Sequence, residues 1–285
     1  MSRRRVAVVT DSTGCLPPAL VTRHKVTVVP LYVLLSGTEG REGIDVTSAD
    51  VAAALRARRY TASTSRPTPE EFAVEYRRLL DAGAPGVVSV HLSAKLSGTH
   101  ESALLAAREF GDKVVVVDAG STGMGLGFAT LAAARAAASG AALDRVAAVA
   151  ADTAAAASTY FYVDTLEFLR RGGRIGAASA LLGTALAVKP ILHVEGGEVV
   201  VQERVRTASR ALARLIDLAV AVTDGPVDLA VHHLAAPDRA ADVAEQLRER
   251  LGERLGDLYT TEVGAVVAAH VGPGLIGVVV SPRTS

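Results

Sequence analysis

At 285 residues and 49% hydrophobic content, the chain is long enough for two domains of ordinary size, each with its own core; with aromatics at 4% and no Trp, those cores must be built from Ala, Val and Leu. Thirty basic residues balance thirty acidic ones, so there is no overall field to hold nucleic acid or an anionic membrane surface. The single cysteine, Cys15, excludes an intrachain disulfide framework and a Cys-only zinc cluster, and it fits a reducing cytosol.

In chain order, Arg3-Arg4-Arg5 precedes a first strand, Val6 to Val9, which Asp11 closes too early for a signal peptide. No later segment reads as an uninterrupted spanning helix, so a cytoplasmic protein with no stable membrane insertion is expected. Val26 to Leu35 reads as a strand and 47–58 as a helix. Thr64-Ser65-Arg66-Pro67 then runs into Thr68-Pro69-Glu70-Glu71, a helix start in which Thr68 caps, Pro69 takes the first position and the acids meet the positive dipole end. In the helix that follows, 68–82, Phe72, Tyr76, Leu79 and Leu80 share one face. Val87 to Val90 is a strand, Ser93-Ala94-Lys95-Leu96-Ser97-Gly98-Thr99 a hydroxyl-rich loop, and 99–109 a helix. The strand Val114 to Val117 and two Ala-rich helices, 124–138 and 142–156, complete the pattern. Such alternation predicts a parallel sheet covered by helices on both sides, an α/β domain over 1–157.

The second half has a different rhythm. Phe161 to Val163, Ile191 to Val194, Val199 to Val205, Leu229 to His233, Leu258 to Glu262 and Leu275 to Val280 read as strands, with helices over 207–222 and 238–251. Glu195-Gly196-Gly197-Glu198 is a hairpin signal, so this sheet is at least partly antiparallel. An α+β domain with a mixed sheet over 158–285 is the result.

Two clusters of hydroxyls, at 64–68 and 93–99, fall at strand-to-helix junctions, where backbone N–H groups lack helical partners and turn toward an anion. Each cluster taken alone also fits simple helix capping. The glycines Gly120, Gly123, Gly125 and Gly127 after Asp118 never give G-x-G-x-x-G, so a tight turn with close helix packing is expected there in place of a dinucleotide site. No G-x-S-x-G elbow and no phosphate loop is present. Ser97, His270 and one of Asp11, Asp45 or Asp118 supply the residue types of a serine hydrolase, which keeps a lipid- or ester-directed hydrolase open as the alternative. His232 and His233 point to opposite sides of a strand and do not chelate one metal. Gly272-Pro273-Gly274 places His270 at a sharp turn. Arg204 and Arg206, two apart, share one side of a strand.

Seven ordered elements carry a resemblance that spans almost the whole chain: Thr10-Asp11-Ser12, Val29-Pro30-Leu31, the Thr-Ser-x-Pro at 64–67, Leu96-Ser97-Gly98-Thr99, Gly172-Gly173-Arg174-Ile175, Arg204-Val205-Arg206 and His270-Val271-Gly272-Pro273-Gly274. In these the chain resembles the DegV family, whose members bind long-chain fatty acids and include acyl-carrying subunits of a bacterial fatty acid kinase. The resemblance implies a lipid carrier with no catalysis of its own and no cofactor. A long-chain fatty acid would be its ligand and an ATP-dependent kinase subunit its partner, the carboxylate held between the two domains and the tail in an apolar tunnel of the second. It carries a head-group role over to Thr64, Ser97 and His270, with Ser65 and Ser93 in second rank, and a kinase- or phosphate-facing role to Arg174 and Arg206. Arg66 stands where the family commonly has Gln, and it either adds a cation near the head group or points to solvent. A protonated His270 holding the anion would make binding weaken as pH rises through its pKa.

Overall fold

The computed structural model describes residues 5–57, 62–181, 189–222 and 224–283. Arg3 and Arg4 of the amino-terminal basic run, and Arg58 at the end of the helix expected over 47–58, lie outside them. In chain order the elements are β1 (Ala7–Asp11), α1 (Pro18–His24), β2 (Thr27–Val29), β3 (Tyr32–Leu35), β4 (Thr38–Arg41), α2 (Ser48–Arg56), β5 (Ala62–Ser65), α3 (Pro69–Asp81), β6 (Val87–His91), α4 (Thr99–Ala107), β7 (Val114–Asp118), α5 (Met124–Ala138) and α6 (Leu143–Ala156). The chain continues with β8 (Ser158–Tyr162), α7 (Glu167–Arg171), β9 (Lys189–Glu195), β10 (Glu198–Val205), α8 (Ala208–Val220), β11 (Val227–His233), α9 (Pro237–Leu251), β12 (Leu255–Glu262), α10 (Ala265–Val271) and β13 (Ile276–Pro282).

Two compact units result. One joins Met1–Tyr32 to Ser65–Ala155, and the other joins Val33–Thr64 to Ala156–Ser285. The chain thus crosses between the units three times, after Tyr32, after Thr64 and after Ala155. Residues 33–64, read as part of the first domain, group with the second. The cause lies at Pro30, which interrupts the strand expected over 26–35. Proline has no N–H to give a ladder, and the next amide, Leu31, donates instead to Ser12 Oγ at 3.0 Å. β2 stays in the first unit, and β3 joins a small sheet of order β4-β3-β5.

The first unit is built on a four-stranded parallel sheet of order β2-β1-β6-β7. Val8, Val88 and Val90 pack against Leu126, Ala129 and Ala133 of α5 and Val146 and Ala150 of α6. On the opposite face Val9 and Val87 meet Phe72 and Tyr76 of α3 and Ala103 and Ala106 of α4. Small residues let α5 approach closely: a Cβ on Gly127 would lie 2.8 Å from the carbonyl oxygen of Gly14. This is the close packing expected of the glycine run. The capping box at α3 forms as the sequence predicts, Thr68 Oγ1 accepting from the Glu71 amide and the Glu71 side chain accepting from the Thr68 amide.

The second unit carries a six-stranded sheet of order β10-β9-β8-β13-β11-β12, antiparallel except for β11 with β12. Its hairpin turns at Gly196 and Gly197, with φ of +55° and +84°, the pair of positive angles a two-residue turn of this twist requires. Tyr162, Ile191, Leu229, Val231 and Val278 pack against Leu215, Ile216, Val243 and Leu247 of α8 and α9. A parallel α/β layer and a separate mixed sheet reproduce the expected fold class. No helix among the described residues is long and apolar enough to cross a membrane.

Candidate functional site

In the first unit the chain order places β2 on one side of β1 and β6 on the other, so the carboxyl ends of β1 and β6 flank a topological switch point. Open α/β sheets take ligands at such a crevice. The loop after β6 holds the hydroxyls. Ser93 is buried, and its carbonyl accepts the amides of Leu96 at 2.9 Å and Ser97 at 3.1 Å, while its Oγ accepts the amide of Lys95 at 3.2 Å. Asp118 accepts the amides of Ala94 and Gly120 and ties the same loop to the end of β7. Ser97 Oγ lies 2.9 Å from Thr99 Oγ1 and accepts the Thr99 amide at 3.3 Å, at the start of α4. Arg66 is half-exposed and tied to the loop that carries Ser97. Its guanidinium lies over Gly98, donating to that carbonyl at 3.2 Å and to Glu101 at 2.8 Å, and a Cβ on Gly98 would meet Arg66 Nη1 at 1.8 Å. It ties the loop to the segment after β5.

In the second unit Thr64 and His270 come together, Thr64 Oγ1 to His270 Nε2 at 2.9 Å, across 206 residues of sequence. Thr64 is half-buried near the end of β5, and Ser65, one residue on, is exposed. His270 sits in the last turn of α10, a helix the sequence reading missed because only the turn after it was legible. Glu42 Oε1 accepts the Val266 amide at 2.8 Å at the other end of that helix, and Gly264 makes room, since a Cβ there would come within 2.1 Å of the same oxygen. Nothing in the local sequence around Glu42 signals this.

His270 Nδ1 is buried with no hydrogen-bond partner among the described residues. An orphan acceptor costs less than an orphan N–H, which assigns the hydrogen to Nε2. His270 then donates to Thr64 Oγ1, and the Thr64 hydroxyl keeps its own hydrogen to donate outward. Burial, and secondly the charge of Arg174, lower the pKa of His270 to about 4. The imidazole by itself is thus neutral through the physiological range. Arg174 folds back to donate to the Gly172 carbonyl at 2.6 Å, and the His270 ring lies against Gly172, where a Cβ would be 2.1 Å from Nδ1. Arg206 is exposed one residue beyond the end of β10, so it does not share a strand with Arg204 as the spacing suggested.

The hydrolase alternative finds no support here. Ser97 Oγ is engaged by Thr99 and His270 Nε2 by Thr64. Of its three candidate acids, Asp11 accepts from Thr13, Leu92 and His91, Asp45 pairs with Arg41, and Asp118 holds Ala94 and Gly120. His232 bonds Thr261 at 2.8 Å and His233 lies toward Glu262, so the two adjacent histidines diverge as expected.

Residues 5–283 match the profile of a family described as uncharacterised proteins of the DegV family. A DegV domain-containing protein of Streptomyces coelicolor is 55% identical, over 98% of this chain and 99% of its own. Among solved structures, a DegV family protein from Thermus thermophilus, described by its fatty acid binding, superposes with a TM-score of 0.92 at 37% identity, over 98% of this chain and 100% of that one. DegV from Bacillus subtilis, described as a fatty acid binding protein, gives 0.88 at 30% identity over the same shares. The match over nearly the whole chain, with these relatives, makes this protein a member of the DegV family.

Proposed function

We propose that the chain binds one long-chain fatty acid. Thr64 and Ser97 donate to its carboxylate, Ser65 and Ser93 stand in second rank, and neutral His270 fixes the Thr64 hydroxyl from behind. The observation that carries this reading is the Thr64–His270 bond, which leaves a hydroxyl hydrogen directed outward with no cationic partner required. The fatty acid binding of the Thermus thermophilus and Bacillus subtilis relatives supports it. A tail of about fourteen methylenes at roughly 0.8 kcal/mol each supplies on the order of 10 kcal/mol before ordering costs, so the head group serves mainly to set register. The tail belongs in the second unit. The protein has no catalysis of its own in this reading and presents the acid to an ATP-dependent kinase subunit, forming acyl phosphate.

Mass spectrometry of gently purified, then denatured protein is expected to release fatty acid at near one per chain; an empty protein with esterase turnover would return the hydrolase reading. Thr64→Val and Ser97→Ala each remove one donor to a charged acceptor, an effect of about 1.5 to 3 kcal/mol, so each weakens fatty acid binding about ten- to a hundredfold. Unchanged affinity in both folded variants would sink the assignment.

Arginine forks suit phosphate, and we assign Arg206 and Arg174 to the kinase-facing side of the reaction. Arg206→Ala and Arg174→Ala are expected to retain bound acid while losing acyl phosphate formation with a matching kinase and ATP. Loss of the lipid itself from Arg174→Ala would move that residue into the head-group site, beside the His270 it already influences.

A further inference from the structure

β1 and β6 end side by side on Asp11 and His91, which are 1% and 0% exposed. Asp11 Oδ1 accepts the amide of Thr13 at 3.0 Å and its hydroxyl at 2.5 Å. Asp11 Oδ2 accepts the amide of Leu92 and His91 Nδ1, both at 3.0 Å. One carboxylate thus collects two donors from the turn after β1 and two from the end of β6 and the residue that follows it. Because His91 Nδ1 faces a carboxylate it carries hydrogen, and Nε2 is left to accept from Ser89 Oγ at 2.7 Å. Ser89 in turn accepts from the Tyr76 hydroxyl at 2.8 Å. The chain Tyr76, Ser89, His91, Asp11 runs one way, and each member is hydrogen-bonded. Its serine, histidine and carboxylate follow the order of a nucleophilic triad, but Ser89 is fully buried and its oxygen is already occupied by Tyr76, so no substrate reaches it.

We propose that this buried chain is a positioning unit for the hydroxyl loop at 92–98, fixing Ser93 and Ser97 for a carboxylate. The inference rests on the fatty acid reading above. Its logic is geometric. Buried polar networks add little net stability compared with apolar replacements, but when fully satisfied they hold one arrangement rigidly. Leu92, whose amide Asp11 holds, directly precedes Ser93, whose carbonyl receives the amides of Leu96 and Ser97. Asp11 therefore sets where the loop leaves the sheet, and a loop displaced by about an ångström no longer aims its donors.

The test compares delipidated wild type, Asp11→Asn and Tyr76→Phe for binding of palmitate and of methyl palmitate, which has the same tail and no anion. Asp11→Asn is expected to weaken palmitate about tenfold while methyl palmitate is unchanged, and Tyr76→Phe to shift the ratio the same way by less. A merely structural role would weaken both ligands together, and an unchanged acid-to-ester ratio in folded Asp11→Asn would overturn the proposal. If Asp11→Asn does not fold, Tyr76→Phe and Ser89→Ala decide by the same ratio. A wild type that binds methyl palmitate and palmitate equally refutes positioning of a carboxylate, whereas one that binds neither refutes the fatty acid reading itself.

Discussion

Gly172→Ala is expected to cost at least about tenfold in fatty acid affinity while leaving the fold intact. The backbone at Gly172 has φ of −75°, which any residue adopts, so no strain arises there. The obstacle is the side chain: a Cβ would lie 2.1 Å from His270 Nδ1 and 3.2 Å from the Phe168 carbonyl. His270 must move, and the 2.9 Å bond that orients Thr64 goes with it. The effect should therefore saturate. In the double variant Gly172→Ala with His270→Ala, affinity is expected to match His270→Ala alone, because both changes remove one interaction. Isothermal titration with palmitate measures this, and additive losses would show that Gly172 acts elsewhere.

Acid is expected to destabilise the second unit sharply between pH 6.5 and 4. His232 is 4% exposed, and burial lowers its pKa to about 4, with Thr261 opposing the shift and His233 adding to it. In this window the unfolded chain holds a proton that the folded chain refuses, so stability falls as pH falls through the ordinary histidine value and levels off below the folded one. The shift is worth about 3 kcal/mol for His232, a sizeable share of a domain's stability, and His270 acts in the same direction. Urea unfolding of delipidated protein at pH 7 and 4.5 reads this as a drop in midpoint. His232→Asn should flatten the slope, and an identical slope in that variant would remove His232 as its source.

Much of this molecule is legible in its sequence wherever the signal is local. The capping box at Thr68, the two Ala-rich helices after 124 and the hairpin at Gly196-Gly197 each depend on residues within a few positions, and they form where expected. What escapes is what depends on partners far away in sequence. Pro30 was visible, but that it divides a run of apolar residues between two sheets depends on Ser12 accepting the next amide. In sequence Asp11 reads as a strand end, a hydrolase candidate and part of Thr10-Asp11-Ser12, and not as the centre of a network, because its four donors become neighbours only when β1 pairs with β6. His270 was placed by the glycines after it, and its helix was missed since seven mostly apolar residues carry no period long enough to separate helix from strand. The protonation of that histidine was unreadable for the same reason, since it follows from burial and from Arg174.

The excursion of residues 33–64 away from the first unit has a consequence for how the protein is made. β1 emerges from the ribosome long before its neighbour β6, the register joining Ala7 to Val87 and the Asp11–His91 contact spanning 80 residues. At about 5 to 20 residues per second, the first strand waits several seconds for its central partner, with an entire segment of the other unit synthesised in between. Parallel pairing over such a separation is slow even in the finished chain, since the loop must close before any contact rewards it. Cutting after residue 157 would therefore part Val33–Thr64 from the rest of its unit. The four-stranded sheet draws on Met1–Tyr32 and on Ser65–Ala155, so a fragment that keeps it whole needs both pieces.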